Sequence, residues 1–394
     1  MLSAKKSKSL IYGFLKRIFH TSPMFVIRFY SRLYLIWSRI RGFWLRINMY
    51  EGRSREGDHI LKLIYLGWND QVISYFLSFF FTDYSTLPSG KKILPWNLKE
   101  YVDEQQRNGA LILVEMSNRS VRRHLKNVSG FVLPRWLKMY IDVDFSLSQN
   151  KRINDILRLI KKHSLGYEIA DKVEDFDFFY YRMYSPYVLG RHGGSAVVEN
   201  YKPMREDFSN YRSLLYFITR EGSRVACIYE RYYDNTPYIY ALGIIDGSEE
   251  VMRMGVIGAM YYFVLENHMK NNIKTLKIGG TSPFLNDGLT FFKLSLGAKV
   301  LDLEFQDSLK LQLIHPDTAS AQKFLTANPF IFIEKDKIYC AVFRDDNDPE
   351  AGPKTQRILA HAENLEVDGI RILKFNADHT ISTEMISRYN VKTI

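Results

Sequence analysis

The sequence predicts a mixed α/β fold, and two observations favour this class. Strand-like and helix-like patterns of apolar residues alternate along the chain after residue 56. Several strand patterns follow one another directly, as antiparallel neighbours do, which argues against a doubly wound nucleotide-binding fold. With 394 residues, 46% of them hydrophobic and 14% aromatic, the chain can form two or three compact units with buried cores.

The predicted elements follow from these patterns. Helices are predicted over residues 68–81, 98–108, 117–127, 153–162, 175–186 and 251–271. Strands are predicted over residues 110–115, 214–220, 224–232, 238–245, 275–279 and 300–314, with a hairpin around 334–337. The stretch 345–353, rich in acids, Gly and Pro, is interpreted as a loop at a boundary.

The positive charge of the chain is concentrated in its first 55 residues. They contain twelve Lys and Arg and a single acid, Glu51, which together give the +11 of the whole chain. Residues 24–49 predict an amphipathic helix, with one stripe of arginines: Arg28, Arg32, Arg39 and Arg46. An anionic partner is therefore expected at this arm.

Three interpretations of the arm remain open. It is an interfacial helix on anionic lipid, a basic surface for RNA phosphates, or a helix packed on the protein's own body. The first interpretation places residues 1–50 on an anionic membrane surface. No run of about twenty apolar residues and no signal-peptide cleavage site is found, so we expect a cytoplasmic protein, peripheral at the inner face of the membrane.

Several classes of function are disfavoured. Cys227 and Cys340 lie in apolar, strand-like runs where buried, unreactive thiols are usual, and so few cysteines fit a reducing compartment. The histidines and cysteines show no metal-ligand spacing, and neither a Walker loop nor a Gly-x-Ser-x-Gly motif is present. No bound metal, and no hydrolase or P-loop ATPase function, is therefore predicted.

Two stretches of the chain carry motifs of a known family. Residues 274–300 read KTLKIGGTSPFLNDGLTFFKLSLGAKV, and residues 175–195 read DFDFFYYRMYSPYVLGRHGGS. Both resemble segments of the FemAB-like acyltransferases, which contain two GNAT-like halves. The first is similar to the family's closing segment, in which a strand ends in a Gly-Ser/Thr loop before Asp-Gly, Phe-Lys and Gly-Ala. The second is similar to the aromatic helix and Arg-His-Gly that lead into the second half.

The resemblance implies an organisation and an activity. The expected parts are a basic amphipathic arm at 1–55, a degenerate first GNAT-like half at 56–150, a second half at 151–300 and a small C-terminal extension at 301–394. The implied reaction transfers an acyl or aminoacyl group from acyl-coenzyme A or aminoacyl-tRNA, as co-substrate, to an amine on a cell-envelope or surface-polymer precursor. The rival interpretation is a non-catalytic GNAT-like module that binds a membrane surface or RNA.

The first stretch supplies most of the candidate site residues. Lys293 matches the family's Phe-Lys position, which implies stabilisation of an oxyanion or a phosphate. Asp287 is interpreted as a helix cap, with a general-base role as the alternative. The loop after the strand either binds an anion or carbonyl or is a plain strand-to-helix turn, and it contains Gly279, Gly280, Thr281 and Ser282.

The second stretch and a helix start supply the others. His192 is a candidate acceptor for the amine proton, unless it is structural, and Arg191 for holding a phosphate or carboxylate. Tyr184 and Tyr187 are candidate pocket walls. GNAT enzymes that use coenzyme A carry Arg/Gln-x-x-Gly-x-Gly/Ala at a helix start. Residues 253–259 read RMGVIGA, with different spacing, so the candidate cofactor-binding residues Gly255 and Gly258 leave both donors open.

Overall fold

Two mixed β-sheets with helices packed against them form the structure, which confirms the predicted mixed α/β class. The computed structural model describes residues 44–55, 59–117, 120, 123–125, 128–144, 150–192, 198–233, 235–306, 309–315, 318–344, 360, 365–375 and 381–386.

The described part of the chain starts in one sheet, forms the other sheet and then returns to the first. The first sheet starts with β1 (Leu45–Ser54), β2 (Ile60–Gly67), β3 (Phe81–Leu87), β4 (Lys92–Ile93), β5 (Leu111–Ser117) and β6 (Phe131–Pro134). The second sheet consists of β7 (Leu137–Asp142), β8 (Leu165–Ala170), β9 (Ser213–Arg220), β10 (Ser223–Tyr233), β11 (Thr236–Ile244), β12 (Thr275–Thr281) and β13 (Lys299–Val300). The first sheet is completed by β14 (Leu309–Ile314), β15 (Phe330–Glu334), β16 (Lys337–Arg344), β17 (Gly369–Phe375) and β18 (Ile381–Ile386).

Helices connect and cover these strands. They are α1 (Asp70–Phe80), α2 (Leu98–Arg107), α3 (Lys151–Lys162), α4 (Val173–Phe178), α5 (Ser185–His192), α6 (Tyr201–Asn210), α7 (Glu249–Arg253), α8 (Val256–Lys270), α9 (Gly288–Ser295) and α10 (Ala319–Ala327). A π-helical segment, Phe179–Tyr184, joins α4 to α5. Among the described helices, none combines the length and the apolar character needed to cross a membrane.

The sheets do not follow the predicted boundaries at residues 150 and 300. The strand orders are β18-β17-β16-β15-β6-β14-β5-β2-β1-β3, with β4 also on β1, and β13-β7-β12-β11-β10-β9-β8. β7, from the predicted first half, pairs with β12 and β13, and β14, from the predicted extension, lies between β5 and β6. β14 to β18 therefore complete the first sheet, and β14 and β15 fill backbone pairing that β5 and β6 would otherwise leave open.

The end of the predicted arm is a strand. β1 starts at Leu45 and pairs antiparallel with β2; Leu45 and Ile47 are buried, whereas Arg46 between them is exposed. This alternation has the two-residue period of a strand, so the predicted helix over 24–49 is wrong from Leu45 onward. The rest of that helix lies outside the described residues and stays a prediction.

Other elements differ from the prediction in detail. Gly255, with a left-handed φ of 83°, divides the predicted helix 251–271 into α7 and α8. The predicted strand 300–314 is broken between β13 and β14, because the chain passes from one sheet to the other there. The hairpin around 334–337 is confirmed by the pairing of β15 with β16. Of the predicted helix 117–127, Ser117 ends β5, residues 120, 123 and 124 are helical, and most of the remainder lies outside the described residues. The predicted loop 345–353 lies outside them entirely.

The two thiols belong to the cores, as predicted. Cys227 and Cys340 are buried and unpaired. Burial raises the pKa of Cys340 to about 12 and the pKa of Cys227 well above its usual value. Both thiols are therefore neutral at physiological pH and unsuited to nucleophilic chemistry.

Candidate functional site

The second sheet separates between its parallel neighbours β11 and β12. These strands pair only at Tyr238 and Lys277, whereas the parallel pair β2 and β5 of the first sheet stays in register over four consecutive residue pairs. Open α/β sheets bind ligands beyond the carboxyl ends of parallel strands. A functional site is therefore expected at the carboxyl ends of β11 and β12.

The corresponding place in the first sheet is filled. Glu115, near the carboxyl end of β5, is buried and accepts a hydrogen bond from the Tyr65 phenol of β2. Its other carboxylate oxygen lies 3.1 Å from Nη1 of Arg135. The Tyr65 phenol and the Arg135 guanidinium thus hold the Glu115 carboxylate, and β2 and β5 remain paired beside it.

A β-bulge shapes the end of β12. Lys277 faces Tyr140 of the antiparallel neighbour β7, but Gly280 faces Lys138, so β12 has one residue more than its partner over this interval. Gly279 within the bulge has a φ of 74°, which residues with a side chain rarely adopt. The bulge interrupts the ladder and turns backbone carbonyls toward α9.

Lys293 of α9 reaches into this bulge. Its Nζ donates to the carbonyl oxygens of Ile278 at 2.8 Å and Gly280 at 2.9 Å, and the residue is 3% exposed. Burial disfavours the ammonium and lowers the pKa of Lys293 from 10.5 to about 7, although the Asp287 carboxylate acts in the opposite direction. Near neutral pH this amine can both give and take a proton, as acid–base catalysis requires.

Asp287 caps α9 and joins it to the first half of the chain. Its Oδ1 accepts from the backbone N–H groups of Leu289 and Thr290, both at 3.1 Å, which confirms the predicted cap. Its Oδ2 accepts from the phenol of Tyr75 in α1 at 2.8 Å. Both oxygens are thus engaged, and a general-base role for Asp287 stays a prediction.

The two hydroxyls after the bulge face inward. Thr281 and Ser282 are buried, and Thr281 Oγ1 lies 2.8 Å from Oγ1 of Thr290. Ser282 Oγ accepts from the backbone N–H of Phe284 at 3.2 Å. These hydroxyls hold the strand-to-helix turn, which was one of the two interpretations, and this turn would have to open before they could bind a ligand. Gly280, by contrast, is exposed.

Two residues of α5 lie near the site: Arg191 is close to Tyr75, and Tyr187 is close to Tyr261. Arg191 Nη1 donates to Tyr187 Oη at 2.7 Å. Burial and then Asp287 raise the pKa of the Tyr75 phenol, while the Arg191 guanidinium lowers it, so the Arg191 charge lies near Tyr75. His192 ends α5, but its side chain is not among those described, and its catalytic role stays a prediction.

Tyr238 of β11 and Tyr261 of α8 extend the aromatic side of the site from Tyr187 to the bulge of β12. Burial raises the pKa of Tyr261, and the neighbouring phenols Tyr187 and Tyr238 raise it further. A Cβ at Gly279 would lie 3.3 Å from Tyr238 Oη. The three phenols therefore lie close to one another, with Tyr238 against the bulge.

Tyr184 belongs to the aromatic core instead. Its ring centroid lies 5.8 Å from that of Phe179 and 5.7 Å from that of Tyr180, and it is largely buried. Its Oη accepts from the backbone N–H of Glu199 at 3.3 Å. Its ring thus packs among core aromatic side chains, and its role as a pocket wall stays a prediction.

Gly255 and Gly258, at the start of α8, face α3. A Cβ at Gly255 would approach Leu159 Cδ1 to 2.7 Å, and one at Gly258 would approach Ile156 Cγ1 to 2.8 Å. Both glycines therefore allow α3 and α8 to pack closely. Cofactor binding by these residues stays a prediction.

Sequence reasoning missed four aromatic residues of this site: Tyr75, Trp136, Tyr238 and Tyr261. Tyr75 and Trp136 stack edge to face with ring centroids 5.2 Å apart. Trp136 lies where the chain passes from β6 to β7, and a Cβ at Gly280 would lie 3.2 Å from its Cβ. With 26 Tyr in the chain, residue type alone carries no signal, and Tyr75 is 212 residues from its partner Asp287.

Removing the Tyr75 hydroxyl is expected to loosen this connection between the halves. Tyr75→Phe leaves one oxygen of the buried Asp287 carboxylate without its phenol donor. A hydrogen bond to a charged group contributes about 1.5–3 kcal/mol, so the free energy of unfolding in urea should fall by about that amount. Tyr84→Phe, at an exposed ring, serves as the control and should change it by less than about 0.5 kcal/mol. Equal effects of the two substitutions would contradict the role given to Tyr75.

Comparison with known proteins finds only distant likenesses. No protein-family model and no curated protein matches the chain. Among solved structures it is similar to FemX, at 12% identity over 68% of this chain and 83% of that chain, with a TM-score of 0.36. It is also similar to L-PGS from Bacillus licheniformis, at 12% identity over 71% and 87% of the two chains, with a TM-score of 0.31.

A third solved structure is similar to this chain at a comparably low level. It is a GCN5-related N-acetyltransferase from Kribbella flavida, at 11% identity over 56% of this chain and 75% of that chain, with a TM-score of 0.26. Neither the substrate nor the activity of this chain follows from likenesses so distant. Its function has to be proposed from the site itself.

Proposed function

We propose that the protein is an N-acyltransferase or aminoacyltransferase that moves an acyl group from a donor to an amine. The observation that carries the proposal is the amine of Lys293, buried at the bulge of β12 with a pKa near neutrality. Around it lie Arg191, a charge able to hold an anionic donor or acceptor, and the wall of Tyr187, Tyr238 and Tyr261.

The reaction makes demands that this amine can meet. The acceptor amine attacks the donor carbonyl carbon, an oxyanion forms, the donor thiol or hydroxyl leaves, and the acceptor loses a proton. A neutral Lys293 has two hydrogens, which match the carbonyls of Ile278 and Gly280, and one lone pair that can take that proton. A protonated Lys293 has a third N–H that can stabilise the oxyanion or hold a phosphate.

The donor and acceptor are proposed by class. The donor is acyl-coenzyme A or aminoacyl-tRNA, and the acceptor is an amine of a cell-envelope or surface-polymer precursor. We place the enzyme in the cytoplasm, peripheral at the inner face of the membrane through residues 1–50. Supporting this location, residues 1–43 contain nine Lys and Arg and no Asp or Glu.

A donor screen with the full chain tests the proposal. Acyl-coenzyme A species and charged tRNA are added singly, with free coenzyme A and uncharged tRNA as controls, and thermal unfolding is followed. A donor at 100 times its Kd should stabilise the native state by about 2.7 kcal/mol. The stabilising donor is then incubated with amine acceptors, and the new amide is detected by mass spectrometry. Stabilisation by neither donor, with no amide formed, would leave the non-catalytic module as the explanation.

A further inference from the structure

We propose that a patch of tryptophan and basic side chains on the first sheet docks the folded protein on an anionic lipid surface. The tryptophan patch consists of Trp44, Arg46, Trp68, Lys92 and Trp96. It lies where residues 1–43 join the described part of the chain. The inference rests on the membrane contact proposed for residues 1–50 and extends that contact onto the folded body.

Strand pairing brings the members of the patch together. Arg46 of β1 faces Lys92 of β4 across the ladder. Lys92 Nζ lies 5.6 Å from the ring centroid of Trp68, whose indole N–H donates to the carbonyl of Trp44. Trp96 lies in the short 3-10 turn that directly follows β4. Pairing and packing thus hold Trp44, Arg46, Trp68 and Lys92 together, and Trp96 follows Lys92 by four residues along the chain.

Charge in the patch calls for an anionic partner. Like charges directly opposite one another on neighbouring strands repel, and Arg46 and Lys92 stand in that relation. Asp70 lies 3.4 Å from Arg46 and offsets part of this repulsion, but both cationic residues remain exposed. Lipid phosphates bound next to Arg46 and Lys92 would offset the remaining repulsion between these two residues.

The apolar part of the patch distinguishes a membrane from other anionic partners. Trp44 is 47% exposed and Trp96 is 59% exposed. An indole combines an apolar ring with a polar N–H, which suits it to the boundary between lipid headgroups and acyl chains. Tryptophan beside basic side chains is therefore the composition expected of a surface that meets anionic lipid.

The adjoining segment has the same character. Residues 1–43 contain five Leu and five Ile besides their nine basic residues. RNA phosphates would be matched by the basic residues alone, whereas aliphatic side chains gain from contact with acyl chains. Because this segment leads directly into Trp44, a lipid surface that binds it also lies beside the patch.

Helix α1 connects the patch with the candidate site. α1 begins at Asp70, the ion-pair partner of Arg46, and Tyr75 lies five residues later, about 8 Å along the helix axis. Tyr75 in turn donates a hydrogen bond to Asp287 of the candidate site.

Flotation of the full chain with lipid vesicles tests the inference. The vesicles contain phosphatidylglycerol in phosphatidylcholine, or phosphatidylcholine alone. Three variants are compared with the unchanged protein: a patch variant, Lys92→Glu with Trp96→Ala; an arm variant, Lys5→Glu with Lys6→Glu and Lys8→Glu; and a distant control, Lys202→Glu with Tyr233→Ala. Trp96→Ala alone is the milder variant if the patch variant unfolds, and circular dichroism reports the fold of each.

We expect the patch variant to bind anionic vesicles at least tenfold more weakly and the control variant to bind them like the unchanged protein. Binding should also weaken with salt and with phosphatidylcholine alone. If the arm variant loses binding while both patch substitutions leave it intact, the inference fails and the proposed arm contact stands. If the unchanged protein does not bind anionic vesicles, both the inference about the patch and the proposed arm contact fail. If the patch variant loses affinity for tRNA but not for vesicles, the patch binds RNA and the inference is overturned.

Discussion

Lys293→Met is expected to lower turnover about 10²–10⁴-fold, the range that a positioned acid–base group contributes. Methionine has nearly the length of lysine but neither a proton nor a lone pair to exchange with the reacting amine. The carbonyls of Ile278 and Gly280 lose their donor as well, at a cost of about 1–3 kcal/mol each in stability. Turnover is therefore measured well below the melting temperature, with the donor that the thermal-shift screen identifies.

The control for this variant is Lys299→Met. Lys299 follows α9 by a few residues, but it pairs with Asp142 and Glu366 on the surface rather than with the bulge. Its loss should leave turnover within about a factor of three. If Lys293→Met keeps more than a tenth of the activity of the unchanged protein, Lys293 has only a structural role.

The pH profile of turnover distinguishes the two catalytic states of Lys293. If the lone pair takes the proton, turnover rises with pH and levels off above about 7. If the third N–H stabilises an oxyanion or holds a phosphate, turnover falls as pH rises through the same value. A profile that is flat between pH 6 and pH 8, with chemistry rate-limiting, would contradict both roles.

The free energy of unfolding is expected to rise with pH between about 7 and 10.5 because of Lys293. In this window the unfolded chain holds a proton on Lys293 that the folded chain has released, so raising the pH favours the folded state. A pKa change from 10.5 to about 7 corresponds to about 5 kcal/mol over the whole window. Below pH 7 both states carry the proton, and this contribution to the slope vanishes.

Urea unfolding of the unchanged protein and of Lys293→Met at pH 6, 7, 8 and 9 measures this effect. The difference in unfolding free energy between the two proteins should be constant from pH 6 to pH 7 and then change in favour of the unchanged protein. Lys299→Met controls for the general response of lysines to pH. Parallel curves for the unchanged protein and Lys293→Met above pH 7 would mean that Lys293 keeps its proton in the folded state.

The sequence revealed local elements of the fold better than their assembly. Alternating and helical periods predicted about half of the described strands and most of the described helices, because each of these is encoded within a dozen residues. The place of β14 between β5 and β6 was not predictable in this way, since its partners precede it by nearly two hundred residues. Arg46 was assigned to a helix because four arginines at nearly helical spacing masked the burial alternation of Leu45 and Ile47.

Site residues that belong to one sequence motif were predicted, whereas site residues that meet only through packing were missed. Lys293, Asp287 and the two glycines came from one contiguous stretch, and the structure brings them together at the bulge. Tyr75 and Trp136 come from other parts of the chain and reach the site through contacts between the sheets. The burial of Tyr184 was not visible in the sequence either, because it depends on packing against Phe179 and Tyr180.

The return of the chain to its first sheet has a consequence for synthesis. β6 has strand partners only in β14 and β15 among the described residues, and β5 gains its second neighbour from β14. While the ribosome makes β7 to β13, the edge of β5 is therefore an open template for pairing with other chains. The second sheet can fold as an inserted unit during that interval, but the first sheet closes only after residues beyond 309 have emerged.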